Sequence, residues 1–117
     1  MNGFEDLEVW KRGCRLTIQI YSAFSHCKDY GFKDQIQRSA LSVPSNIAEG
    51  YERNSSKDFI RFLNIAKGST GELRTQLYIS KKLSYLDENT STELLNKSKE
   101  ISAMLSGLIK SIKNKTD

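Results

Sequence analysis

Apolar residues recur every three or four positions in four successive stretches of this chain, and nowhere do they alternate for long at period two. That pattern leaves sandwiches, barrels and βαβ units without strands to build them, and it leaves packed helices. The stretches predict helices over about 4–25, 32–53, 56–83 and 91–113. A chain of 117 residues suits one domain, 1–117, with no room for a second of ordinary size. Four helices joined by links this short favour antiparallel neighbours, so the expected architecture is all-α, an up-down-up-down four-helix bundle. The last residues, 113–117, read as a disordered basic tail.

The first helix is the most apolar. Leu7, Trp10, Cys14, Ile18, Tyr21 and Phe24 share one side and form its expected core stripe. Val9, Leu16 and Ile20 widen that side to about 200°, well beyond the roughly 100° that one core face needs. Three sister helices cannot cover so wide an arc, so Val9, Leu16 and Ile20 are the candidates for contact between copies in a homo-oligomer.

On the second helix Phe32, Ile36, Ala40, Val43, Ile47 and Tyr51 form the inner stripe. Pro44 lies within it and removes one backbone donor. Either the helix is kinked near Ala40, or it ends at Val43 and restarts at Pro44. Ser55 or Ser56 is placed to cap the third helix, with Asp58 three residues after Ser55. Gly68 and Gly71 weaken that helix by about 1 kcal/mol each relative to alanine, and glycines at such positions often admit a neighbouring backbone. Thr90-Ser91-Thr92-Glu93 reads as a capping box that opens the fourth helix.

Little here suits catalysis. His26 is the single histidine, and no phosphate-binding glycine loop, nucleophile elbow or paired-histidine motif occurs. No metal, no cofactor and no enzymatic activity are expected. Cys14 and Cys27 lie 13 residues apart. On one helix that separation is about 20 Å, too far for a disulfide, so both read as reduced thiols. No run approaches the roughly 18 apolar residues that a membrane span needs, and no signal peptide opens the chain. Both observations point to the cytoplasm.

Two polar features ask for a function. Ser39, Ser42, Asn46, Glu49 and Arg53 fall within about 80° of helix surface, beside the apolar stripe rather than opposite it. They form either a solvated face or a partly buried network joining helices or subunits, with Glu72 as a partner for Arg53. Short side chains favour the network, because solvated faces usually carry long ones. The second feature is charge. The net +4 is carried entirely by residues 54–117, since residues 1–53 balance seven basic against seven acidic side chains. Lys11, Arg12 and Arg15 on the first helix and Arg61, Lys67, Arg74, Lys81 and Lys82 on the third are the candidate phosphate contacts, with further lysines near the end.

The run Gln35-Ile36-Gln37-Arg38-Ser39-Ala40-Leu41-Ser42-Val43-Pro44-Ser45-Asn46-Ile47-Ala48-Glu49-Gly50 resembles the signature of the four-helix bundle proteins encoded in 23S rRNA intervening sequences. Phe4-Glu5-Asp6-Leu7-Glu8-Val9-Trp10-Lys11 resembles that family's start. Asp58-Phe59-Ile60-Arg61-Phe62-Leu63-Asn64-Ile65-Ala66-Lys67-Gly68-Ser69, followed by Glu72-Leu73, resembles its third helix. Gly71 stands where a bulkier residue is expected. The resemblance implies a bacterial protein, a left-handed bundle and a homopentameric ring. Related accessory proteins of diversity-generating retroelements imply binding to nucleic acid, RNA or DNA, and to a reverse transcriptase. Two functions follow as expectations: a non-catalytic nucleic-acid-binding oligomer, or a scaffold that docks a protein partner and uses its charge only for solubility.

Overall fold

Three of the four helices begin at a side-chain acceptor. The computed structural model describes residues 3–116. It contains a 3₁₀ turn at Phe4–Asp6 followed by α1 (Glu8–Ala23), α2 (Tyr30–Glu52), α3 (Ser56–Lys82) and α4 (Glu88–Thr116). No strand occurs among the described residues. Asp29 caps α2 by accepting from the Phe32 amide at 3.1 Å, and Ser55 caps α3 by accepting from the Asp58 amide at 3.3 Å. Asp87 does the same for α4, accepting from the Thr90 amide at 2.6 Å. The capping box expected at residues 90–93 is therefore one turn too late. Ser91 faces inward, 1% exposed, and Asp87 supplies the acceptor instead.

Pro44 does not interrupt α2, which runs unbroken through it. The missing proline N–H leaves the Ala40 carbonyl, four residues back, without its helical donor. Thr17 on α1 supplies one: its hydroxyl lies 3.0 Å from the Ala40 oxygen and 2.8 Å from the Gly13 oxygen of its own helix. Gly13 lies against the same proline: a Cβ there would stand 3.4 Å from the Pro44 ring, an ordinary van der Waals contact. The two helices are thus matched at one point in shape and in hydrogen bonding.

That contact decides which side of α1 is inner. Val9, Gly13, Leu16, Thr17 and Ile20 are buried, as is Phe24 just past the helix end, whereas Ile18 and Tyr21 are 68% and 42% exposed. The expectation that Val9, Leu16 and Ile20 meet another copy is corrected: all three lie in the core of a single chain, at 4%, 3% and 0% exposure. The outward ribbon is the other half of the arc, Cys14, Ile18 and Tyr21 with half-buried Trp10. A wide apolar arc does not state its own centre. Gly13 and Thr17, which look polar or neutral in sequence, mark the face that the next helix can approach.

Each helix packs on two others: α1 on α2 and α4, and α3 on α2 and α4, so that α1 and α3 sit at opposite corners. The core is continuous along a body of 47 × 20 × 19 Å, with Ile20, Phe24, Ile36, Ile47, Leu63, Leu73, Leu77 and Leu105 fully buried. Each such side chain contributes about 1.5–3 kcal/mol relative to exposure. Gly68 and Gly71 meet no neighbour within 4 Å of a built Cβ, so they serve no close approach within this chain. Gly50 does: a Cβ there would come within 2.5 Å of Phe62. At the C-terminus α4 continues to Thr116, and the expected disordered tail is helical as far as it is described; Asp117 lies outside the described residues. Lysine is a good helix former, and Lys113 and Lys115 lie at the negative end of the helix dipole.

The two links at one end are tied together. Ser84 adopts a left-handed conformation, φ 59°, and the Tyr85 amide turns back to the Ser80 carbonyl at 3.0 Å, closing α3. The Tyr85 hydroxyl then donates to Asp29 Oδ2 at 2.6 Å, and its ring meets Phe32 edge-on at 5.4 Å. This bond and the Phe32 amide hold the Asp29 carboxyl below the usual carboxylate range, and the same bond raises Tyr85.

Candidate nucleic-acid interface

The polar residues of α2 face α3 along an antiparallel seam. Ser39 donates to Glu72 at 2.9 Å, and Ser42 and Ser69 share a hydrogen bond of 2.9 Å one turn further on. Asn46 then donates to the Ser42 carbonyl at 2.8 Å and to the Ser42 hydroxyl at 2.9 Å. Small side chains let the two helices approach, and each hydroxyl finds a partner. Glu49 and Arg53 do not join this seam. They form an exposed pair of their own at 3.0 Å. Glu72 is not the partner of Arg53, because antiparallel packing sets Glu72 beside Ser39 and leaves Arg53 near Phe62, with its guanidinium 5.0 Å from the ring centre.

The eight basic residues singled out in the sequence do not share one surface. Since α1 and α3 occupy opposite corners, Lys11, Arg12 and Arg15 are separated from Arg61, Lys67, Arg74, Lys81 and Lys82 by a whole helix. Several are also matched internally. Arg12 bonds Glu100 and lies 3.5 Å from Glu8, and Arg15 reaches Glu8 at 3.2 Å. With Lys97, itself 3.0 Å from Glu93, they line a cleft of about 140 Å³ between α1 and α4 whose charges are largely self-compensated. Lys81 pairs with Glu88 at 3.0 Å and Arg61 with Asp58 at 3.6 Å. Arg74 is half-buried, and Lys11 and Lys82 are exposed.

A different grouping emerges between α3 and α4. Asn64 and Lys67 on α3 line a groove of about 340 Å³ with Ser106, Ile109, Lys110, Lys113 and Asn114 on α4. No carboxylate lines it among the described residues. The reason lies in the chain: α4 has no acidic residue between Glu100 and Asp117, and the stretch 57–69 of α3 has only Asp58. Antiparallel packing lays these two stretches side by side, which brings Lys57, Arg61, Lys67, Lys110, Lys113 and Lys115 to one end of the molecule. Lys110 and Lys113 belong to this surface although they lay outside the eight. The acid-free run after Glu100 was the available signal, hidden by reading the final residues as a tail.

His26 is exposed at the α1–α2 link, and no three His, Cys, Asp or Glu side chains among the described residues are placed to hold a metal ion. Cys14 and Cys27 are both free thiols. No helix among the described residues is long and apolar enough to cross a membrane.

A helical bundle with a serine-rich α2–α3 seam and a basic α3–α4 groove is thus the class of molecule in hand. The family model described as 23S rRNA-intervening sequence protein matches residues 5–107, and the chain belongs to that family. A crystal structure of a protein of unknown function from the S23 ribosomal protein family of Bacteroides thetaiotaomicron is similar over 87% of this chain and 98% of that one, at 28% identity and a TM-score of 0.82. No curated protein matches.

Proposed function

We propose that this chain is a non-catalytic, self-associating bundle that binds structured RNA through the groove between α3 and α4. The observation that carries the reading is the segregation of charge: cations gather where two acid-poor stretches lie side by side. A polyanion laid there meets Lys67 and Lys110 in a groove that no carboxylate lines among the described residues and releases counterions, whereas the arginines of α1 would have to give up Glu8 and Glu100. The family's name, taken from an intervening sequence of 23S rRNA, favours RNA as the polyanion and the bacterial cytoplasm as the place. The resemblance further implies left-handed, up-down-up-down bundles assembled as a ring of five. In the chain itself, self-association is supported by the outward apolar ribbon of α1, with Ile18 and Tyr21 exposed.

Anisotropy of a labelled RNA hairpin, titrated with salt, tests the reading. Binding should weaken steeply as salt rises, and Lys67→Gln with Lys110→Gln should lower the slope of log affinity on log salt by about 1 per lysine. Arg12→Gln with Arg15→Gln should change it less. Undetectable or salt-independent binding would remove the proposal. Exposed Tyr78, Ile79 and Leu83 at the far end of α3 favour a second reading, a surface that docks a partner protein. Capture of such a partner after nuclease treatment, with no salt-sensitive RNA binding, would put that reading first.

A further inference from the structure

We infer that the pocket at the α2–α3 turn receives an unpaired purine base of the same RNA whose phosphates lie along the α3–α4 groove; the inference rests on the RNA-binding reading. The pocket, about 310 Å³ and open to solvent, is lined by Tyr51, Asn54, Ser55, Ser56 and Phe59. Tyr51 and Phe59 meet at 87° with ring centres 5.7 Å apart, so the space has two aromatic walls at right angles. Phe4 braces Tyr51 from behind at 6.4 Å, and Trp10 braces Phe4 at 5.2 Å. The walls are therefore held in place before any ligand arrives, while each of these four rings is only half-buried.

The polar groups suit a heterocycle rather than an aliphatic chain. The Ser55 hydroxyl accepts from the Asp58 amide, and the Asn54 backbone N–H donates to the Tyr51 carbonyl at 3.5 Å, but among the described residues the side-chain amide of Asn54 and the Ser56 hydroxyl make no hydrogen bond. Asn54 stands in the left-handed region at φ 57°, a conformation asparagine tolerates. Its amide offers a donor beside an acceptor, the pairing that matches an adenine edge. Arg53 and Arg61 flank the turn with guanidinium groups 5.0 and 4.5 Å from the centre of the Phe62 ring, each exposed and each already paired, with Glu49 and Asp58. A base inside a duplex has both faces covered by its neighbours, so stacking on Tyr51 or Phe59 requires an unpaired one. Phe59 and Lys67 are eight residues apart on α3, about 12 Å along its axis. One strand can therefore reach both the pocket and the groove.

The test compares the full-length protein on two RNAs of equal length, a blunt duplex and a hairpin with an adenine-rich loop, the loop carrying one 2-aminopurine. The hairpin should bind more tightly, and its 2-aminopurine fluorescence should be quenched on binding. Tyr51→Leu should weaken hairpin binding by about tenfold, the scale of one lost base–aromatic stack, and leave duplex binding unchanged. Asn54→Gly, which relieves the backbone while removing the amide, should cut hairpin binding several-fold and keeps the test valid if Tyr51→Leu fails to fold. Equal affinity for the two RNAs, or a hairpin preference untouched by both substitutions, overturns the inference while the groove reading stands. Binding to neither RNA removes the groove reading, and this one with it.

Discussion

At the scale of single residues, the contact among Gly13, Thr17, Ala40 and Pro44 shows how a helix breaker is accommodated. Proline withholds one donor, and a hydroxyl from the neighbouring helix replaces it. Thr17→Val keeps the shape and removes the hydroxyl, so it should cost about 1–2 kcal/mol in urea denaturation. In a Pro44→Ala background the Ala40 carbonyl regains a helical donor, and the same substitution should cost less by about 0.5 kcal/mol or more. A coupling of zero would show that the Thr17–Ala40 bond contributes nothing. The Asp29–Tyr85 bond makes a second prediction. The Asp29 carboxyl lies lower in the folded chain than in the unfolded one, first through Tyr85 and then through the Phe32 amide. Its stabilisation is thus complete above the unfolded carboxylate range and is lost as pH falls through the lower folded value. Tyr85 is raised by the same bond, so its share is complete below the ordinary phenol range and is lost as pH rises through the higher folded value. Tyr85→Phe should flatten the stability profile at both ends, as read from thermal midpoints across pH.

At the scale of helices, glycine has opposite meanings at different positions. Gly50 lies against Phe59 and Phe62, and Gly50→Ala should lose about 1–3 kcal/mol through overpacking. Gly68 faces open space, and Gly68→Ala should gain up to about 1 kcal/mol from helix propensity. Urea midpoints at constant slope separate the two. Periodicity made the existence and number of the helices legible, and the placement of Ile36, Ala40, Val43 and Ile47 on the inner face of α2 followed from it. Helix starts were less legible. A box-like sequence at Thr90–Glu93 outcompeted Asp87 on pattern, although it is the Asp87 carboxylate that accepts from the Thr90 amide. The inner side of α1 was misread for a related reason: hydrophobicity ranked Ile18 and Tyr21 above Gly13 and Thr17, while close approach selected the small residues. The candidate interface was half visible. Lys67 and Arg61 stood out as cations, but which lysines they join depends on α4 lying antiparallel to α3, and composition carries no such information.

At the scale of the whole molecule, the outward ribbon on α1 and the basic groove between α3 and α4 point in different directions, so one can be buried while the other stays open. Ile18→Lys with Tyr21→Lys should leave the fold intact, since both side chains are exposed in a single chain. Sedimentation should then show a 13.3 kDa particle for the variant and a larger one for the natural sequence. A 13.3 kDa natural protein at micromolar concentration would dismiss self-association altogether.

The lopsided distribution of lysine has a geometric corollary. Rotation about a common axis carries every subunit's end to the same height, so a cyclic assembly with its rods set along that axis would collect the cationic tips on one rim and leave the opposite rim near neutral. Such an object has a top and a bottom to a passing nucleic acid. It would settle on the strand like a crown set down on its points.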